Sequence, residues 1–480
     1  MRCVFDADLR CVYCGWQARV AGTRRVCDRT AERQDAGIFD MVSGYASAVS
    51  RWLAAGRPVR TQQEIDGLMD ICRGCELFDG SKCRRCGCRL STSTSGWANK
   101  LAMATEQCPR GKWSVAEPTS SQSLRVGFVL ADCRSGGGVF NWFMPLAERL
   151  PSLGVSVSGL AFVGGEGQIT QHAIDAISRV CPVIGKTSHD KMHKVPRHEE
   201  AIWAVAKNSD ALVVWSLTAQ QASACKIAAN VPVIGVSHGC SDWWMEGCAK
   251  YVDRWVAVSA AAAAPAPGKC DVLPNGIDHS RLRCTESRQV VRVAAGLPQD
   301  ARVAVSIGRI SKEKRLELAA AALEHMPVVW LWLVGDGDER ERARIREAAG
   351  VHADRLVVTP ARDDIGNVLA SADCAVLVSQ AEGYCLSAVE ALAAGVPLAS
   401  TPVGILPDLD RAIGAPAAEY MPLDPTPQDV AAAIQAAVAE KHWQRMAAVK
   451  GLIYREHSAD AMAERWAAYL SGVAAAAAPA

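Results

Sequence analysis

Two acidic residues stand eight positions apart around a turn of small residues, in the stretch SQAEGYCLSAVEALAAGVPLAS that covers 379–400. Glu382 lies before the turn, and Glu390 lies inside the apolar, helix-like run that follows it. The immediate neighbours of Glu390 are apolar, so we expect its carboxylate to be buried and to need a partner. Two carboxylates placed in this way suit the hydroxyl groups of one extended ligand, and the start of the helix between them suits an anion.

Cations cluster in a second stretch, IGRISKEKR, at 307–315. Arg309 and Lys314 flank a turn that follows a strand-like run and precedes a helix. Cations in the first turn of a helix oppose the helix dipole, which favours a ligand over a plain solvated surface. Two cations in this position suit a diphosphate.

A third candidate is the glycine-rich turn RSGGGVFNW at 134–142. Gly136, Gly137 and Gly138 let backbone N–H groups approach a ligand, and the helix that follows favours an anion. The alternative is a tight strand–helix turn without a ligand, and the turn by itself does not separate the two.

Short β-rich runs alternate with amphipathic helices from Leu124 onward, and these elements must position the candidate residues. One series of strand-like runs covers 124–260; a turn-rich break at 272–289 precedes a second series. Fully apolar strands that alternate with helices predict a parallel sheet covered on both faces. The sequence therefore predicts an α/β protein with two Rossmann-like domains, whose ligands bind beyond the carboxyl ends of the strands.

Four of these stretches together carry a family resemblance. SIGRISKEKR, LVGDGDER, EGYCLSAVEALAAGVPLAS and VLPNGID occur in the order and spacing of the retaining glycosyltransferases of family four, which have the GT-B fold. The resemblance covers roughly 124–472. It implies an enzyme of the hexosyl or glycosyltransferase class, with a nucleotide-sugar donor (UDP-, GDP- or ADP-linked) in the second domain and an acceptor saccharide or small molecule in the first.

The resemblance also implies roles for individual residues. Glu382 would contact the hydroxyls of the transferred sugar, Glu390 the ribose, and Arg309 with Lys314 the diphosphate. The leaving diphosphate would itself accept the proton of the acceptor, so the protein acts by charge and position. The catalytic candidates are Glu382, His238, Arg309 and Lys314. The donor-binding candidates are Gly136, Gly137, Gly138, Arg309, Lys314, Gly383, Tyr384, Cys385, Leu386 and Glu390.

The sequence departs from the family pattern at one position and offers one misleading motif. Cys385 stands where the family usually has glycine, so either the donor sits differently or Cys385 adopts an unusual backbone conformation. The string GDGDER at 335–340 resembles an Asp-x-Asp metal site, but in this family it is a strand–helix turn. Asp336 and Asp338 are therefore predicted to be turn and cap residues.

Ten of the 19 cysteines lie within residues 1–108, in tight clusters. Two Cys-x2-Cys pairs between 72 and 86 have the spacing of zinc knuckles, and the earlier cysteines contain one more pair. We predict structural zinc in both clusters, with iron–sulfur ligation as the alternative for the second. The predicted ligands are Cys3, Cys11, Cys14, Cys27, Cys72, Cys75, Cys83, Cys86, Cys88 and Cys108.

The 480 residues and their near-zero net charge of +1 predict several soluble domains and no general affinity for nucleic acid or membranes. No apolar run has the length of a membrane span, and the clustered cysteines favour a reducing, cytoplasmic location. The predicted order is a zinc module at 1–35, a helical connector at 36–65, a second zinc module at 66–115, a linker at 116–123, an acceptor domain at 124–280, a donor domain at 281–455, and a final helix with a tail at 456–480.

Two other functions remain open at this point. The protein could be an enzyme that adds a sugar to a modified DNA base, with the zinc modules bound to nucleic acid. It could also be a non-catalytic descendant, in which the zinc modules bind a partner. The intact set of Glu382, Glu390, Arg309 and Lys314 favours an active enzyme over the second of these.

Overall fold

The chain divides into two compact units, residues 1–122 and 123–480, in a computed structural model. The structure describes residues 60, 62–84, 89–92, 99–103, 106–108, 112–113, 124–134, 137–165, 167–185, 198–229, 231–240, 243–439 and 443–477. The predicted linker at 116–123 lies outside these residues, as does the predicted helical connector at 36–65 apart from residues 60 and 62–65.

Helices and strands alternate through most of the second unit. The strands are β1 Leu124–Leu130, β2 Val155–Phe162, β3 Val183–Gly185, β4 Ala211–Trp215, β5 Val233–Ser237, β6 Arg254–Ala257, β7 Cys270–Val272, β8 Arg302–Ile307, β9 Val329–Val334, β10 Leu356–Thr359, β11 Cys374–Leu377, β12 Leu398–Ser400 and β13 Glu419–Tyr420. The α-helices are α1 Gln62–Arg73, α2 Gly138–Arg149, α3 Gln171–Ser178, α4 His198–Ala206, α5 Ala219–Ala229, α6 Trp244–Cys248, α7 Ala260–Ala263, α8 Arg288–Ala295, α9 Leu316–Ala321, α10 Glu339–Ala349, α11 Ile365–Ala370, α12 Leu386–Ala394, α13 Leu406–Ile413, α14 Pro427–Ala437, α15 Trp443–Glu456 and α16 Ala459–Ala477.

The first sheet has seven strands in the order β3-β2-β1-β4-β5-β6-β7, and every pair in it is parallel. The central strands are buried on both faces, as their apolar runs predict; five residues of β1 from Val126 to Leu130 are buried. The order reverses between β1 and β4, which is where ligands bind in sheets of this kind.

The second sheet repeats this plan with six parallel strands in the order β10-β9-β8-β11-β12-β13. Its switch point, where the order of the strands reverses, lies between β8 and β11. The loops after these two strands begin at residues 308 and 378, so the cationic and acidic stretches meet at one edge of the sheet. The prediction of an α/β fold with two parallel sheets is confirmed.

The last helix, α16, returns to the first sheet and packs on α2. The rings of Trp142 in α2 and Trp466 in α16 lie 5.7 Å apart, and both side chains are fully buried. Before α16, Ile277 and Ser458 form a parallel β-bridge. This bridge ties the segment between the sheets to the start of α16, so both halves of the second unit share one core.

In the first unit, the described residues form a small apolar cluster built on α1. Ile65, Met69 and Cys72 from this helix pack with Leu101 and Trp113. Within the described segments of the whole chain, no helix combines the length and apolarity that crossing a membrane requires.

Candidate functional site

An ion pair joins Lys314 to Glu382 at the carboxyl edge of the second sheet. The Nζ of Lys314 and the hydroxyl of Ser379, the latter at 2.6 Å, both donate to Oε1 of Glu382. The exposed fractions of the two charged side chains are 25% for Lys314 and 12% for Glu382. Burial is the largest single influence and acts to lower the pKa of Lys314, but the nearby acidic groups, Glu382 first among them, together raise it above its ordinary value. Lys314 is therefore a cation at neutral pH, held beside the carboxylate.

The backbone around Lys314 is fixed by a residue that the sequence analysis passed over. Lys314 ends a short 3-10 helix, and Arg315 follows with φ of +48°. The Arg315 guanidinium donates to the carbonyl of Val378 at 2.8 Å and to that of Leu423 at 2.6 Å. Arg315 thus anchors the cationic turn to the loop after β11, which carries Ser379.

A small pocket opens beside the ion pair. Its lining includes Arg309, Lys314, Ser379 and Ser387, which come from the loops after β8 and β11 and from the first turn of α12. The Arg309 side chain is 59% exposed and pairs with Glu313 at 3.1 Å. Exposed pairs of this kind contribute little stability, so Arg309 can exchange Glu313 for a stronger anion. The predicted pair of cations, Arg309 and Lys314, does border one pocket.

Glu390 lies buried in the second turn of α12, with 7% of its surface exposed. Its Oε1 lies 3.6 Å from the guanidinium of Arg281, which the sequence analysis did not single out. Arg281 comes from the 3-10 turn His279–Leu282, directly after the PNGID motif. Burial raises the pKa of Glu390, and Arg281 acts in the opposite direction without cancelling the rise. Among the described residues, Arg281 is the one charged partner of Glu390, and no hydrogen bond or ion pair reaches its second carboxylate oxygen.

We expect Glu390→Gln to make the ligand-free protein more stable at neutral pH. Because the folded-state pKa of Glu390 lies above its unfolded value, its contribution to stability is fullest below the unfolded pKa and is lost as the pH rises through the folded pKa. The gain is about 1.4 kcal/mol for each unit of the pKa shift. Thermal melts across pH measure it, and the gain should shrink as the pH falls.

The control for this variant is Glu324→Gln, which changes an exposed glutamate. It should leave stability unchanged at every pH. A Glu390→Gln protein that is less stable than the parent at neutral pH would show that the carboxylate is a net stabilising group, against our reading of its burial.

Cys385 stands where the family pattern usually has glycine, and it adopts an unusual backbone conformation. This was one of the two explanations that the sequence left open. Its φ is +75° and its ψ is +70°, and it is the N-cap of α12 without a capping bond from its side chain. This left-handed region costs a residue with a Cβ roughly 1–2 kcal/mol. The thiol is buried, which raises its pKa to about 12. Cys385 is therefore a neutral, strained residue whose backbone opens the first turn of α12 toward the pocket.

We expect Cys385→Gly to be more stable than Cys385→Ala by about 1 kcal/mol, because only glycine adopts a positive φ without strain. Both variants lose the buried thiol, so the comparison isolates the backbone. In an ordinary helix the order is the reverse. Urea unfolding midpoints of the two proteins measure the difference, and an alanine variant that is the more stable of the two would contradict the strain.

Gly383 is where the two sheets of the second unit meet. A Cβ at Gly383 would overlap the carbonyl oxygen of His238, at the end of β5. The Oγ of Ser259 donates to the carbonyl of Gly383, and the Sγ of Cys240 donates to that of Glu382 at 2.7 Å. Residues that follow strands β5 and β6 of the first sheet therefore hold the backbone of the acidic loop. Only glycine fits at position 383, because the backbone of His238 lies so close to it.

His238 lies at this junction with its ring between two indoles. Its centroid is 4.6 Å from that of Trp142 and 5.8 Å from that of Trp215, both in edge-to-face contact. Burial lowers the pKa of His238 to about 3. The imidazole is therefore neutral at neutral pH, and its position beside Gly383 places it within the same region as Glu382.

Tyr384 is buried, and its hydroxyl bonds the acidic loop to two other segments of the chain. Its hydroxyl donates to the carbonyl of Asn275 at 2.6 Å and lies 2.8 Å from Nδ1 of His457. Burial raises the pKa of Tyr384, so the phenol stays protonated. The hydroxyl thus joins the loop to the segment before α16 and to the PNGID motif, and the binding of the donor by Tyr384 stays a prediction.

The glycine-rich turn stands at the carboxyl edge of the first sheet. Gly137 is the N-cap of α2, and Gly138 begins the helix with open space on its Cβ side. Gly136 lies outside the described residues. Within the described residues, no hydrogen bond or ion pair joins Gly137 or Gly138 to Lys314 or Glu382, so their predicted role stays a prediction.

The two aspartates of the GDGDER string act as the sequence predicts. The side chain of Asp338 caps α10 by accepting from the N–H of Glu341 at 2.8 Å. Asp336 accepts from the N–H of Ala361 at 3.1 Å.

Of the predicted metal ligands, Cys72, Cys75, Cys83 and Cys108 are described. Cys3, Cys11, Cys14, Cys27, Cys86 and Cys88 lie outside the described residues. Among the residues that the structure describes, no three His, Cys, Asp or Glu side chains are grouped closely enough to hold a metal ion. The prediction of zinc is therefore not supported by the four described cysteines, and nothing tests it for the other six.

Comparison with known proteins finds relatives of the second half of the chain. The family model described as "Glycosyl transferases group 1" matches residues 287–445, which include Arg309, Lys314, Glu382 and Glu390. D-inositol 3-phosphate glycosyltransferase of Mycobacterium leprae (strain Br4923) is 31% identical over 148 residues, 29% of this chain and 34% of that protein. The protein of the same name from Mycobacterium tuberculosis (strain F11) is 30% identical over 148 residues, covering 29% and 31%. The chain spans about a third of the length of these curated relatives.

Solved structures resemble both sheets of the second unit. Anabaena HepE, in complex with UDP-glucose, has a TM-score of 0.58 and 19% identity and covers 73% of this chain and 100% of its own. Sucrose-phosphate synthase from Thermosynechococcus elongatus has a TM-score of 0.58 and 17% identity and covers 74% and 100%. At these identities the resemblance establishes the fold, and it agrees with the expected GT-B arrangement of two Rossmann-like domains.

Proposed function

We propose that the protein is a glycosyltransferase, which moves a sugar from a nucleotide-sugar donor to an acceptor saccharide or small molecule with retention of anomeric configuration. The observation that carries the proposal is the pair formed by Lys314 and Glu382 at the switch point of the second sheet, beside a pocket that Arg309 also lines. Cations suit the diphosphate of such a donor, and a carboxylate suits the hydroxyls of its sugar.

In the proposed binding mode, Lys314, Arg309 and the N–H groups at the start of α12 face the diphosphate, and Glu382 accepts hydrogen bonds from the sugar hydroxyls. Glu390 has an oxygen to spare beyond Arg281 and accepts from the ribose. UDP and its glucose conjugate are bound by Anabaena HepE, so a UDP-sugar is the first donor to test, ahead of GDP- and ADP-sugars.

The chemistry that this arrangement favours is electrostatic. The bond between the sugar and the diphosphate breaks while the acceptor hydroxyl approaches the same face, and the departing phosphate oxygen takes the acceptor's proton. Charge develops on that phosphate, where Lys314 is already in place and needs no reorganisation. His238, neutral and beside Gly383, offers a hydrogen bond to the reacting sugar and no proton transfer.

A donor screen tests the proposal. The full-length protein is incubated with UDP-, GDP- and ADP-sugars, and release of the nucleoside diphosphate is measured with Glu382→Ala as the blank. We expect one donor class to be consumed, slowly with water and faster once an acceptor is found; the coupling constant of the product's anomeric proton then reports retention. Calorimetry that finds no affinity for any of these donors would overturn the proposal.

The two other candidate functions have no supporting contact among the described residues. An enzyme that modifies a DNA base would need nucleic acid to bind, and a full-length protein that retards DNA at low salt would revive it. A non-catalytic scaffold would leave the site inert, and the same donor screen addresses it.

A further inference from the structure

Two mostly buried groups of opposite charge face each other beside α12 without a hydrogen bond between them. The exposed fractions of the two side chains are 30% for Arg281 and 9% for Glu390, and the nearest guanidinium nitrogen lies 3.6 Å from Oε1. A charge-assisted hydrogen bond between such groups spans about 2.7–2.9 Å. Among the residues that the structure describes, no other group accepts a hydrogen bond from the Arg281 guanidinium, and none donates to the Glu390 carboxylate.

The hydrogen-bonding capacity of this pair is almost entirely unused. A guanidinium carries five N–H donors, and a carboxylate accepts at two oxygens. Charged groups that lie mostly out of water are costly unless hydrogen bonds satisfy them. The group that would complete both must donate to the carboxylate and accept from the guanidinium. A hydroxyl does both, and two neighbouring hydroxyls can engage the two charges at once.

The 3-10 turn that carries Arg281 is held firmly at its start. Asp278 caps the turn by accepting from the N–H of Ser280 at 2.9 Å. The ring of His279 lies flat on the ring of Tyr454 in α15, with centroids 3.9 Å apart and planes at 7° to each other. These contacts fix the direction in which the Arg281 side chain leaves the backbone.

The end of the same turn is seated on α11. A Cβ at Gly366 would overlap the carbonyl oxygen of Leu282, at 2.6 Å, so the helix and the turn touch backbone to backbone. The Oδ1 of the buried Asn367 accepts from the N–H of Thr285 at 2.7 Å and from that of Glu286 at 3.1 Å. The fold rather than a loose loop therefore sets the gap between the two charges.

We propose that Arg281 is a donor-binding residue, which together with Glu390 recognises the neighbouring 2′- and 3′-hydroxyls of the ribose. This inference rests on the proposed function, since the nucleotide-sugar donor supplies the ribose. One hydroxyl donates to Glu390, and an oxygen of the same diol accepts from Arg281, so each charge gains the hydrogen bond that it lacks. A 2′-deoxyribose has one hydroxyl fewer and cannot complete both. Arg281 thereby makes the site select ribonucleotides over deoxyribonucleotides.

Calorimetry on the full-length protein tests this role. UDP, GDP and ADP are compared first, and the tightest ligand is then compared with its own 2′-deoxy form. We expect the parent to prefer the ribonucleotide by about 100-fold, since each of two hydrogen bonds to charged groups contributes about tenfold. Arg281→Met removes one of them and should lower this preference by about tenfold. Arg283→Met makes the same change at an exposed arginine two residues later and should keep the preference of the parent.

Arg281→Lys separates recognition from folding. It keeps a cation beside the mostly buried carboxylate, so its thermal melt should stay close to that of the parent. A lysine lacks the planar fork of the guanidinium, so the preference for the ribonucleotide should still fall.

The ratio of the two dissociation constants decides between the outcomes. A merely structural role of Arg281 would weaken both nucleotides by the same factor, and an unchanged preference in both Arg281 variants would overturn the inference alone. A parent that binds none of the three nucleoside diphosphates would overturn the proposed function, and this inference with it.

Discussion

Glu382→Gln lowers turnover of the donor by about 100-fold, because hydrogen bonds from sugar hydroxyls to a carboxylate strengthen as the sugar gains positive charge, and each tenfold corresponds to 1.36 kcal/mol. The amide has the same shape but no charge, and one of its two positions becomes a donor. Lys314 and Ser379 hold Oε1 of the native carboxylate, so the loss is chemical rather than positional. Affinity for the nucleoside diphosphate without its sugar should change little.

Steady-state kinetics with the donor identified by the screen measure this effect. Glu324→Gln is the matched control, because it makes the same change at an exposed glutamate near the end of a helical segment. Parent-like turnover of Glu382→Gln would refute the role of Glu382. If Glu382→Gln lost affinity for the bare nucleoside diphosphate as strongly as it lost turnover, Glu382 would be assigned to the nucleotide instead of the sugar.

Much of the fold was readable from hydrophobic pattern alone. The strand-like runs of both series became strands, since most of them are apolar, β-branched segments buried within a parallel sheet; β10, at a sheet edge, is half-buried. The pattern missed β3, β7 and β13, which have two or three residues each and lie at the sheet edges. Edge strands bury one side only, and segments this short carry no usable periodicity.

The charged residues of the candidate site were predicted from the sequence, but the contacts between them were not. Glu382 and Lys314 were chosen because each follows a strand, but their ion pair spans 68 residues of sequence and depends on strand order. Arg281 was missed for the same reason, since nothing near it in the sequence points to Glu390. The bonds of the Tyr384 hydroxyl to Asn275 and His457 were missed likewise, since these partners lie 109 and 73 residues away in the sequence.

The junction at Gly383 joins the acidic loop of the second sheet to residues that follow strands of the first sheet. Glu382 and Gly383 are bonded through their carbonyls to Cys240 and Ser259 of the first domain. The loop that is proposed to hold the sugar is therefore fixed by the domain that is proposed to hold the acceptor.

Lys314→Met lowers turnover by about 100-fold, the effect of removing one preorganised charge from the place where charge develops. KM should change less than kcat, since the negative charge on the leaving phosphate grows during the reaction. The raised pKa of Lys314 keeps the parent charged through the neutral range, so the loss should not depend on pH there. Lys312→Met, at an exposed lysine two residues earlier, should behave like the parent.

The double variant Lys314→Met with Glu382→Gln separates catalysis from stability. Lys314→Met alone leaves the mostly buried carboxylate of Glu382 without its cation, which destabilises the fold, and the second substitution removes that unpaired charge. We therefore expect the double variant to unfold at a higher temperature than Lys314→Met while regaining no activity. If activity returned along with stability, the pair would be a structural ion pair and the phosphate would have to be held by Arg309 and α12 alone.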